Sequence, residues 1–167
     1  MKRMATRLCN ASFATLLGLF ASNVFAQSPA EFIDDASAQG MADIEASRLA
    51  HQKSESKEVK DYTIVVINDR TTANQHLAKI ARQLDLPVAP REEIVEKAKA
   101  LMPQVMEGAT FDEAYTASQV KTTQQAIERL QQEAQSTDVP EIKAFAEENL
   151  PKLQNHLQMA RALQAGR

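Results

Sequence analysis

The sequence predicts an all-α fold: a four-helix bundle whose two helical hairpins are joined by a crossover carrying a short extra helix. Three observations carry this expectation. Beyond residue 26 glycine occurs only at Gly40, Gly108 and Gly166, tryptophan is absent, and Ala, Gln, Glu, Lys and Leu are abundant, a helical composition. Caps and prolines cut the chain into four long helical segments and one short one. Tight turns join the first pair and the last pair, while about two dozen residues separate the pairs, which is the spacing of a crossover connection. A simple up-down bundle with a bent third element is the alternative.

Each element has its own signal. Ser28-Pro29-Ala30-Glu31 is a capping box with proline at the first helical position, opening a helix over 29–52. The polar break "KSESK" follows, and a second helix is expected over 57–85, ended by Pro87 and Pro90. "YTIVVI" (62–67) is the one β-like stretch; it is embedded in a longer period of 3.6 and reads as helix. A shorter helix is expected over 91–106, disturbed by Pro103 and closed near Gly108. Thr110-Phe111-Asp112-Glu113 is a second capping box, opening a helix to 135. Asp138-Val139-Pro140-Glu141 opens the last helix, to 164, which Pro151 should kink.

Residues 1–26 read differently. Lys2, Arg3 and Arg7 precede the apolar run "ASFATLLGLFASNVFA", which ends with small residues at the −3 and −1 positions. This is the pattern of a secretory signal peptide cut after Ala26. The run is short for a membrane span and is broken by polar residues. Residues 27–167 then form one domain, directed to the periplasm. The sole cysteine, Cys9, lies in the leader, so the domain has no disulfide and must rely on a packed core. The leader holds three of the 19 basic residues and no acidic one. The domain therefore has 16 Lys and Arg against 22 Asp and Glu. That acidity argues against nucleic acid and anionic membranes as electrostatic partners, and no later segment is apolar enough to span a bilayer.

Four blocks, "FIDDASAQGMADIEASRLA", "VKDYTIVVINDRTTANQHL", "FDEAYTASQV" and "LPKLQNHLQMARAL", resemble the family known as domain of unknown function 4142. The resemblance covers nearly the whole domain. It implies an exported bacterial protein with a ferritin-like helical bundle, of a kind often labelled an outer membrane protein, and implies no agreed activity. It also implies three departures. Relatives carry histidine at the places of Arg70 and Thr123, and glutamate at the place of Asp43, whereas His156 keeps its family position. If the family's histidines and acid form a metal site, this chain has lost two nitrogen ligands.

Helical geometry alone points to an interior polar layer. On an ideal helix Arg70 falls within about 20° of the line through Val59 and Leu77, on the face that also carries Thr63, Val66, Ala73, Ala81 and Leu84. The first helix buries a stripe near Ile33, Gly40, Ile44 and His51, with Asp43 on its flank. The fourth long block centres on Asp112, Gln119, Thr123 and Leu130. The last helix centres on Ile142, Leu153 and Ala160, with Asn149 and His156 beside them. With a crossover, Asp43, Arg70, Asp112, Gln119, Thr123, Asn149 and His156 make up a polar core layer. A buried guanidinium keeps its proton and needs an acid: Asp43 is the expected partner, with Asp112 or Asp69 second. Snorkelling of Arg70 into solvent is the bland alternative.

Chemistry-bearing motifs are scarce. No Glu-x-x-His tetrapeptide occurs, although a di-iron bundle needs two. Asp43 and His156 are weak metal candidates, since a zinc site takes three or four protein ligands. Met102 and Met106 could hold Cu(I) through their thioethers, but read more simply as gap fillers. No serine sits in a nucleophile elbow and the domain has no cysteine. No catalytic residue and no cofactor is expected. The reading is a non-enzymatic binding or structural protein of the cell envelope, with an unidentified envelope partner or small ligand. A metal-binding bundle with a degenerate site is the alternative.

Overall fold

The structure is a computed structural model that describes residues 27–101 and 110–166. Five helices follow in order: α1 Pro29–Lys53, α2 Lys57–Gln83, α3 Arg91–Leu101, α4 Phe111–Ser136 and α5 Pro140–Ala165. The described residues contain no strand, and "YTIVVI" lies inside α2. Both capping boxes form: the Ser28 hydroxyl accepts from the Glu31 N–H while the Glu31 carboxylate accepts from the Ser28 N–H, and Thr110 and Glu113 do the same for α4. Each box satisfies two backbone donors that the first helical turn leaves without a partner.

Two boundaries differ from the expectation, while α5 continues past Pro151 as expected. α2 ends at Gln83 rather than 85, because Asp85 adopts a left-handed conformation (φ 48°) and the Leu86 N–H returns to the Ala81 carbonyl. That is a Schellman closure with aspartate where glycine is usual. α5 is capped by Val139, with no side-chain cap hydrogen bond; Pro140 stands at its first position, where a missing N–H costs nothing. α5 also runs through Pro151; Pro151 and Glu147, whose carbonyl loses its donor, both face solvent. The expected continuation of α3 to 106, with Pro103 and Gly108, lies outside the described residues, as do Met102, Met106 and the leader.

Side-chain contacts fix the directions. The Ser54 hydroxyl, just past α1, reaches Asp112 at the start of α4. α4 therefore starts at the end of the bundle where α2 starts, so α2 and α4 run parallel and the chain crosses over between them. α5 returns antiparallel to α2, pairing His156 with Asp69 and Glu148 with His76. α1 packs on α2 and α4, and α5 packs on the same two helices. In the crossover, α3 lies against α1. Both oxygens of Asp34 accept the Ala89 N–H at 3.0 Å, and Lys97 pairs with Asp35.

The core is two apolar clusters. One gathers Phe32, Ile33, Leu77, Ile80, Ile127, Leu130, Ile142, Phe145 and Leu153. The other gathers Ala46, Ala50, Val59, Tyr62, Val66, Tyr115 and Ala160. On every long helix at least one buried polar side chain lies between these sets: Asp43, Arg70, Thr123 and His156. α1 meets α2 closely near Gly40, where an added Cβ would lie 2.3 Å from Asn74 Oδ1. Asn74 uses that room to donate to the Ser37 carbonyl (3.1 Å).

Gly40→Ala should displace the Asn74 side chain and break this bond, offsetting about 1 kcal/mol of gained helix propensity with about 1 kcal/mol of lost hydrogen bonding. The single variant should therefore stay near the parent in stability. In an Asn74→Ala background the same change should stabilise by about 1 kcal/mol. A urea-unfolding double-mutant cycle checks this, and additive effects would remove the proposed clash.

Candidate functional site

Between the two clusters the helices bring polar side chains together. On α1, Gln39, Asp43 and Ser47 sit four residues apart and so share one face. Asp43 is buried, and Arg70 of α2 comes in with 9% of its surface exposed. Arg70 Nη2 lies 2.6 Å from Asp43 Oδ2, and Gln39 Nε2 donates to Asp43 Oδ1 at 2.9 Å. The charges are close but their hydrogen-bond directions are not met. Among the described residues no N–H is aimed at Asp43 Oδ2, and Arg70 Nε meets no acceptor. The pair is thus held by charge at short range in a medium that screens poorly, which depends on distance and little on angle.

A second element of the layer is built on tyrosine hydroxyls. Tyr62 donates to Gln119 Oε1 (3.3 Å), with Thr123 beside it. Tyr115 and Ser47 share a bond of 2.8 Å. Burial raises both phenols far above the ordinary tyrosine value, and nearby Asp43 raises them further. Both therefore remain neutral.

His156 is buried, and its Nε2 lies 2.8 Å from Asp69 Oδ2. Burial pushes its imidazole below the ordinary histidine value and Arg70 pushes the same way, against the bond to Asp69. The ring is neutral at neutral pH, and Nε2 carries the proton because a carboxylate can only accept. The Tyr62 ring stands edge-on to it, 6.5 Å between centroids.

Not every expected member joins the layer. Asp112 lies at the bundle end with Ser54. Ser54 is eleven residues past Asp43, roughly 16 Å along the axis by helical rise, so Asp112 is no second partner for Arg70. Helical phase gives the angle of a residue and not its level. Asp69, the other expected second partner, faces His156 instead. Asn149 is buried but donates to the Phe145 carbonyl of its own helix (2.8 Å), within the first apolar cluster. His51, expected on the buried stripe of α1, is exposed and bonds Thr63 Oγ1 through Nδ1 (2.9 Å). The roles of Tyr62, Ser47, Gln39 and Asp69 escape a search for ligands and nucleophiles. Their signal is spacing: Gln39 and Ser47 flank Asp43 by four, and Asp69 follows Tyr62 by seven.

The family described as "Domain of unknown function (DUF4142)" matches residues 18–163. The chain belongs to the DUF4142 family. No curated protein matches it. Among solved structures, one described as "CopM in the Cu(II)-bound form" is similar, with a TM-score of 0.67 at 16% identity, covering 84% of this chain and 99% of that chain. At that identity the likeness shows a shared helical fold. In this DUF4142 chain, the described residues hold no group of three His, Cys, Asp or Glu side chains placed to bind a metal ion.

Two outcomes follow from the layer. Asp43→Ala should destabilise by about 3–5 kcal/mol, since it leaves the Arg70 charge buried without its partner. Asp43→Ala with Arg70→Met should recover most of that loss, read from urea midpoints; equal stability of Asp43→Ala and parent would dissolve the pairing. His156 makes stability depend on pH. Its folded value lies below the unfolded one, so below about pH 6.5 the unfolded chain takes up a proton that the folded ring refuses. Its contribution is full above that pH and is lost as pH falls towards the folded value. His156→Gln should flatten the stability profile between about pH 5 and 7.

Proposed function

We propose that this DUF4142 chain is a non-enzymatic binding or structural protein of the cell envelope. In this reading residues 1–26 are a cleaved leader and 27–167 the working domain. The observation that supports it is the Asp43–Arg70 pair at mid-bundle (2.6 Å). Where the family resemblance implies histidine, this chain places a guanidinium that cannot give up its proton or donate a lone pair. The other such position, Thr123, is buried beside Tyr62 and offers a hydroxyl in place of an imidazole. No helix among the described residues is long and apolar enough to cross a membrane, and none carries the basic amphipathic face of a surface anchor.

The fold likeness to a Cu(II)-bound protein supplies the competing reading, in which this chain also binds copper. The mid-bundle donor set fits it poorly. Asp69 and His156 are two donors of the three or four needed, and Arg70 stands beside them as a fixed positive charge. The protein should be released with the periplasmic fraction without detergent, with a mass lacking residues 1–26. Purified without chelator, it should carry Cu, Fe, Mn and Zn far below one ion per chain. A stoichiometric metal that disappears in His156→Ala or Asp43→Ala would reverse the reading.

A further inference from the structure

Gln27 stands just ahead of α1, and its side chain is tied back to the bundle. Its Nε2 donates to Asp35 Oδ2 at 2.7 Å. Two cations hold Asp35 in turn: Lys97 of α3, and Arg129 of α4 at 3.5 Å. Gln27 also lines a cleft with Glu128, Arg129 and Glu133 of α4. The Ser28 N–H next to it is taken by the Glu31 carboxylate at 3.0 Å. Burial alone would raise the Asp35 carboxyl, but its bonds to Lys97 and Gln27 and the charge of Arg129 hold it below the ordinary carboxylate range. Asp35 is therefore ionised at neutral pH and can only accept.

This contact matters because the leader cleavage proposed above makes Gln27 the first residue of the working chain. An N-terminal glutamine can close on itself. Its free amine attacks the side-chain Cδ; the N–Cδ bond forms, the Cδ–Nε2 bond breaks, and a proton of the amine leaves with Nε2 as ammonia. The product is an uncharged pyroglutamate. Two proton movements are needed: the terminal ammonium must first lose a proton, and Nε2 must gain one. The Asp35 and Glu31 carboxylates oppose the first, because negative charge close by favours the charged amine. Asp35 also opposes the second. It takes the Nε2–H as an acceptor, has no proton to give, and its bond is lost when Nε2 departs.

We infer that Asp35 shields Gln27 from pyroglutamate closure, so that the processed chain keeps an open, cationic N-terminus beside α4. This rests on the leader cleavage in the function proposed above and goes beyond it, assigning a chemical fate to the residue that cleavage exposes.

The test follows the intact mass of the exported, purified chain at about pH 8, near the ordinary value of an α-amine. Closure removes the mass of one ammonia. The folded parent should close about tenfold more slowly than Asp35→Ala, the size expected for losing a hydrogen bond to a charged group, with helical dichroism equal in the two. Lys97→Ala releases α3 but keeps the Gln27–Asp35 bond, and should match the parent. In guanidinium chloride the parent and Asp35→Ala should close at one common, faster rate. Equal rates for the folded and the denatured parent would overturn the inference, a comparison that holds even if Asp35→Ala does not fold. So would Lys97→Ala closing as fast as Asp35→Ala, which would assign the effect to the docking of α3, or a chain already closed when it is released from the periplasm. A mass that begins elsewhere than at Gln27 defeats the leader reading and this inference with it. A chain that begins at Gln27 and closes at the denatured rate defeats this inference alone.

Discussion

A fixed positive charge inside the bundle sets the terms for its neighbours. Arg70 cannot neutralise itself, so it holds Asp43 close (2.6 Å), and α1 and α2 are held at one register. Replacing such a pair by hydrocarbon is often neutral or stabilising, whereas removing one partner is costly. The pair is therefore better understood as specifying register than as adding stability. Around it the other polar groups find neutral solutions. Tyr62 and Tyr115 keep their protons, and His156 gives up its charge and keeps one N–H for Asp69.

The layer also explains why the core is divided. Leucine, isoleucine and phenylalanine concentrate on one side of it, and small residues with two tyrosines on the other. A slip of either hairpin by one turn would drive Arg70 or Asp43 into one of these apolar sets, where nothing could match its charge. The crossover adds its own restraint: Asp34 holds the Ala89 backbone, and α3 rests on α1. The path between the hairpins is tied to the helix that it passes.

Much of this was legible because helices report themselves locally. Ser28 and Glu31, or Thr110 and Glu113, cap their helices through contacts three residues apart, and those are visible in a string. "YTIVVI" could be assigned to α2 only because the period of 3.6 continues on both sides. Phase alone turned Arg70 inward towards α1. The misplacements have one source: angle was readable and axial level was not. Asp112 has the right angle and lies roughly 16 Å from the ion pair along the bundle. Asp85 ends α2 before Pro87 can, because an aspartate in the left-handed region leaves no mark comparable to proline. The Gly40–Asn74 contact depends on how closely two helices approach, which one sequence does not state. A cavity beside Arg70 is lined from all five helices and has no linear signature.

The pairing of Tyr62 with Tyr115 (6.1 Å between ring centroids) has a consequence for anyone watching this protein in solution. The chain has no tryptophan and just these two tyrosines, both buried in the same apolar set. Phenolic absorbance, emission and near-ultraviolet dichroism therefore all originate from one end of the molecule. The opposite end, with Phe32 and Phe145, is almost dark to the same light, and loosening there can pass unseen by optical methods until the hydroxyl-bearing end gives way.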